Sequence, residues 1–124
     1  MFNEMKGKCF MRTLVKILKA LSDSNRIRII KMLEVRPLCV CEITAVLGLA
    51  TSTVSKHLSI LRDAGFIFDQ KENKWVNYHL NKVSQLQYVK ELLPLLEKWL
   101  PDSQIIMQDR DKVMVVDREK ICGI

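Results

Sequence analysis

Two short amphipathic stretches, separated by only three residues, constrain this chain more than any other feature. The first, Cys41 to Leu47, carries Ile43, Val46 and Leu47 inward and stops at Gly48, a residue that ends helices readily in a left-handed cap. After Gly48-Leu49-Ala50 a second stretch runs from about Thr51 to Ala64. It has Val54, Leu58 and Leu61 at i, i+4 and i+7, with Gly65 as its stop. So short a turn brings the two apolar faces together at a steep crossing, which is a helix-turn-helix unit.

The flanking sequence supplies what that unit needs to bury its faces. Leu14, Ile17, Leu18 and Leu21 form one side of a first helix. The polar cluster Ser22-Asp23-Ser24-Asn25 ends it and opens a second, with Ile27, Ile30, Leu33 and Glu34 expected inward and Pro37 closing the segment. Downstream the period changes. Phe66-Ile67-Phe68 and Trp75 to Leu80 are strand-prone runs around Lys71-Glu72-Asn73-Lys74, so a β-hairpin is expected with Asn73 at positive φ. A last helix is expected over 82–100, carrying Leu86, Val89, Leu92, Leu93, Leu96 and Leu100, with Pro94 bending it. Residues 101–124 form a tail without an assigned role, in which Val113 to Val116 reads as a short strand or a docking segment. The expected architecture is mainly α with a small β-hairpin: a winged helix-turn-helix over 1–100, followed by the tail.

Charge narrows the partner. The chain of 124 residues is 48% hydrophobic, enough for one domain with a real core, and its net charge is +6. Residues 1–82 hold 14 basic against 7 acidic side chains, and residues 83–124 hold 6 against 7. The basic excess therefore lies with the helix-turn-helix, as a polyanionic partner requires. On the wheel, Ser52, Ser55, Lys56 and Ser59 oppose the apolar face of the second stretch, and Thr51 and Thr53 flank its start. Small hydroxyls and one lysine let such a helix sink into a major groove. Lys71 and Lys74 at the hairpin tip extend the surface toward backbone or minor groove.

Catalysis has no support: no nucleophile–base pair, phosphate-binding glycine loop or cofactor fingerprint is present, so the chain is not expected to be an enzyme. The N-terminal residues lack the apolar stretch of a signal peptide, and no apolar run approaches a membrane span. A cytoplasmic location is expected, with Cys9, Cys39, Cys41 and Cys122 reduced and available as thiolates rather than building a disulfide framework.

Several motifs in order resemble a known family. They are Leu21-Ser22-Asp23-Ser24-Asn25-Arg26-Ile27-Arg28-Ile29-Ile30, then Leu38-Cys39-Val40-Cys41-Glu42-Ile43. Next come Ser52-Thr53-Val54-Ser55-Lys56-His57-Leu58 and Leu61-Arg62-Asp63-Ala64-Gly65. Together, over about residues 12–100, they resemble the ArsR/SmtB metalloregulatory repressors of the arsenical type. The resemblance implies a homodimer, formed by the first and last helices, that holds a double-stranded inverted-repeat operator until a thiophilic ion binds. It also exposes departures. Ala50 stands where the family usually caps the recognition helix with serine, leaving Thr51 as the alternative cap. His57, near the buried side of the wheel, reads as a packing or phosphate-contacting residue.

Cys39-Val40-Cys41 is the sharpest chemical feature. Residues i and i+2 of a regular helix diverge by about 200°, but just after Pro37 the irregular helix entrance lets both sulfurs converge. A helix N-terminus also favours thiolate. Soft thiolates select As(III), Sb(III), Cd(II), Pb(II) or Zn(II) over hard cations. Where the arsenical repressors often place a third cysteine, this chain has Thr44. The family's cadmium and lead sensors suggest Cys9 reaching across the dimer, with Cys122 the less favoured alternative. Two motif thiolates plus one more suit As(III) or Sb(III) as an inducer, with no permanently bound cofactor. The family's other metal site needs His on the last helix, and residues 82–100 contain none. A repressor answering to thiol oxidation or persulfide is the alternative of the same fold.

Overall fold

The computed structural model describes residues 4–122, with side chains from Phe10 to Cys122. Helix α1 (Glu4–Leu21) leads into α2 (Ser24–Val35), a two-residue strand β1 (Leu38–Cys39), then α3 (Val40–Leu47) and α4 (Thr51–Asp63). The hairpin β2 (Ile67–Glu72) and β3 (Trp75–Leu80) precedes α5 (Gln87–Lys98), α6 (Gln104–Val115) and the short α7 (Arg118–Ile121).

Asp23 starts α2: its carboxylate accepts the backbone N–H groups of Asn25 at 2.8 Å and Arg26 at 3.1 Å. Burial works to raise its pKa, but those N–H groups and the Arg26 charge hold it below the usual carboxylate range. The expected single apolar stripe of α2 is not what forms. Ile29, Ile30, Lys31, Met32 and Leu33 are all buried, while Ile27 is only half-buried. The reason is that α1, α4, α5, α6 and β3 all pack against α2, which makes it the central post of the domain. Buried Lys31 donates to the carbonyls of Leu96 at 2.7 Å and Trp99 at 3.0 Å, satisfying the end of α5, and pairs with Glu34 at 3.0 Å.

Helices α3 and α4 meet through Ile43, Val46, Leu47, Val54, Leu58 and Leu61, all in one core cluster. Gly48 takes φ 70° as the α3 cap, with its N–H bonded to Thr44 O at 2.8 Å. Gly65 takes φ 92°, and a Cβ there would meet Leu86 Cδ1 at 2.8 Å, so the exit from α4 requires glycine twice over. The hairpin closes with Glu72 opposite Trp75 and Asn73 at φ 60°, as its residues anticipated. Its first strand begins at Ile67, because Phe66 is spent in the core. Sheet order is β1-β3-β2, all antiparallel. β1, too short to show a period, pairs Leu38 with Tyr78 and Cys39 with Asn77.

Two boundaries differ from expectation. The helix expected from 82 starts at Gln87, after Ser84 Oγ accepts the Leu86 N–H at 3.1 Å. The segment read as a tail folds back as α6 and α7. Ile106 and Val113 of α6 are buried, and Asp109 accepts from Arg28 Nε and Nη2 at 2.7 and 2.9 Å. Val113 to Val116 is the end of α6 rather than a strand, capped by Arg36 Nη2 donating to Val113 O at 3.0 Å and Val116 O at 3.3 Å. Among the described residues, no helix is long and apolar enough to cross a membrane.

Candidate DNA-reading surface and sulfur site

Burial divides α4 as an inserted helix needs. Val54, Leu58 and Leu61 face the core, while Thr51, Ser52, Thr53, Ser55 and Lys56 are exposed and Ser59 is half-exposed. The helix start corrects one expectation: Ala50 remains the cap position with no side-chain bond, and Thr51 is already the first helical residue. The leading N–H groups of α4 are thus left for an outside acceptor. Lys71 and Lys74 are exposed on the wing, with Lys74 Nζ 5.5 Å from the Trp75 ring centre.

His57 is tied to the scaffold. Arg26 Nη1 lies 3.1 Å from His57 Nδ1, and Arg26 Nε donates to Ala20 O at 2.7 Å. One guanidinium therefore locks α4 to the joint between α1 and α2. Periodicity does not reveal this role of Arg26, since a bond across 31 positions leaves no local signal.

The sulfur site forms differently from expectation. Cys39 is free, 5% exposed, and caps α3; its N–H donates to Glu42 Oε1 at 3.0 Å, and Glu42 pairs with Arg36 at 3.0 Å. Burial pushes the Cys39 thiol up, the Glu42 charge adds to this, and the favourable helix-start N–H bond does not offset them. Cys41 is exposed and is joined by a disulfide to Cys122, with Cα atoms 6.1 Å apart. The Cys39-Val40-Cys41 motif is thus divided between core and surface. Its outward sulfur meets the cysteine ranked last, and a disulfide stands where reduced cysteines were expected. The chain folds back across a separation of 81 positions to bring the pair together, and α6 and α7 do this by packing on α3. Cys9 lies in α1, but its side chain is outside the described residues. Among the described residues no cluster of three His, Cys, Asp or Glu side chains surrounds one point.

Residues 23–68, from the α2 cap into the wing, match the sequence profile of bacterial regulatory proteins of the arsR family. The Arsenic resistance transcriptional regulator ArsR2 of Pseudomonas putida is 31% identical over 111 residues, covering 86% of this chain and 94% of that one. The chain belongs to the arsR family. This arsR-family chain is also 37% identical over 68 residues to the Arsenical resistance operon repressor of Escherichia coli, a match over 54% of this chain and 58% of that repressor's length. Among solved structures, reduced HlyU from Vibrio cholerae aligns with a TM-score of 0.62 at 31% identity. That alignment covers 81% of this chain and 99% of HlyU. The architecture is a winged helix-turn-helix: α3 and α4 form the motif, and β2 and β3 form the wing.

Proposed function

We propose that this chain is a transcriptional repressor that binds an inverted-repeat operator as a homodimer and leaves it when Cys41 and Cys122 capture a trivalent arsenic or antimony species. One observation carries this reading: an exposed sulfur on the first helix of the DNA-binding motif stands at bonding distance from a second sulfur. A dithiol so placed chelates As(III). Each thiol displaces one hydroxyl of arsenous acid and releases one water, and a third sulfur, from Cys9, replaces the last hydroxyl. Cys39 is the weaker candidate because its thiol is buried and hard to ionise. The names of the two arsenic-resistance relatives support the choice of inducer, and softness permits Cd(II), Pb(II) or Zn(II) at the same sulfurs.

DNA enters through α4. Ser52, Ser55, Lys56 and Ser59, flanked by Thr51 and Thr53, face the major groove, with Lys71 and Lys74 on adjacent backbone. Two-fold symmetry places the half-sites about one helical turn apart. The second subunit covers the apolar residues left exposed on α1, on α5 and at the α5 C-cap, among them Phe10, Val15, Leu18, Leu95 and Trp99.

The Cys41–Cys122 bond favours a second reading, release by oxidation. Two thiols give two electrons and two protons to a peroxide, which leaves as two waters, and the disulfide takes the place of the ion. Titrating the reduced operator complex separately with arsenite and peroxide tests both. Release by arsenite at stoichiometric concentrations supports the first reading, and release by peroxide alone supports the second. No release by either would overturn the sulfur site.

A further inference from the structure

We propose that Arg118 is the positioning residue that carries the state of the Cys41–Cys122 pair to the wing; this rests on the reading of those two sulfurs as the switch. Arg118 opens α7 and Cys122 closes it, one turn apart, with the Cys122 N–H bonded to Arg118 O at 2.8 Å. Their side chains therefore share a face. No residue of α7 is buried, and the helix borders an open groove of about 640 Å³ lined by Arg36, Glu72, Asn77, Asp117 and Arg118. No buried side chain anchors α7: it rests on α3, and its two ends are gripped from α3 and β3. Cys122 grips α3. Arg118 grips β3: its guanidinium carbon lies 4.5 Å from the Trp75 ring centre, and Nη1 donates to Asn77 Oδ1 at 2.7 Å.

The grip extends to the hairpin tip. Buried Asn77 donates its amide to Glu72, which stands opposite Trp75 at the last pair before the turn, between Lys71 and the Asn73-Lys74 loop. Sulfurs drawn together, by an ion or by a bond, seat α7 and hold Arg118 on Trp75 and Asn77. The wing is then fixed in the orientation seen here. Sulfurs apart release α7, and the wing is free to bring Lys71 and Lys74 onto DNA.

The test compares the reduced full chain with Arg118→Ala and Arg118→Lys, using arsenite as the probe. Operator affinity is read by anisotropy, arsenite uptake by near-ultraviolet sulfur–arsenic absorbance, and wing response by amide hydrogen exchange of β2 and β3. Arsenite should weaken operator binding by the parent about 5- to 150-fold, the usual span of coupling between sites, and by Arg118→Ala less than about threefold. Arsenite uptake should match the parent, and the exchange change in β2 and β3 should vanish. Arg118→Lys should not rescue coupling, because an ammonium cannot stack on the indole while meeting Asn77 as a guanidinium does. The relay is wrong if Arg118→Ala is released like the parent, if it no longer takes up arsenite, or if it fails to bind operator without arsenite. Failure of the underlying reading shows elsewhere, as arsenite release retained in Cys41→Ser.

Discussion

Cys39 and Cys41 show how far two residues of one motif can diverge. A turn of chain places one sulfur against the core, where burial raises its pKa, and the other at the surface beside a partner. In the reduced protein at neutral pH, iodoacetamide should alkylate Cys41 and Cys122 well before Cys39, by mass spectrometry of digests. The sign follows from the shift: a thiol with a raised pKa stays protonated until the pH climbs above its ordinary range, so Cys39 labelling should accelerate only in alkali. Early Cys39 labelling would contradict its placement. At the other face, Lys56→Ala should lower operator affinity for all sequences and reduce the salt slope by about one unit, if Lys56 meets phosphate.

Among the elements, those with a strong period were legible and those built on distant partners were not. The α3–α4 unit, its Gly48 stop and the Asn73 turn follow from local chemistry that the residues display. α2 has no single stripe because five elements surround it, and α6 leaves little local signal because Asp109 and Arg36 act across long separations. The C-x-C motif suggested convergence because its spacing permits it, but spacing carries no information about Cys122 arriving from the other end of the chain. Two stability measurements belong here. Asp23→Ala removes the α2 cap and should cost about 1 kcal/mol in urea unfolding. Asp109→Ala leaves the partly buried Arg28 without its carboxylate and should cost about 2–3 kcal/mol. A cost near zero would mean that α6 is not docked on α2 in solution.

At the scale of the molecule, a central post, the outward-facing α4, a wing and a returning C-terminal segment form one linked body. The exposed apolar faces of α1 and α5 are expected to bring two copies together, so sedimentation at micromolar concentration should give about twice 14.4 kDa. A monomer that binds the inverted repeat tightly would contradict that assembly. Operator anisotropy shows whether Cys41 and Cys122 are the sulfurs through which the inducer acts. The reduced parent, Cys41→Ser, Cys122→Ser and Cys39→Ser are each bound to operator and titrated with arsenite. Arsenite should release the parent and Cys39→Ser, with Cys41→Ser and Cys122→Ser remaining bound because a hydroxyl is a poor ligand for a soft ion. Release of Cys41→Ser and Cys122→Ser at the parent's arsenite concentration would contradict that role for the two sulfurs.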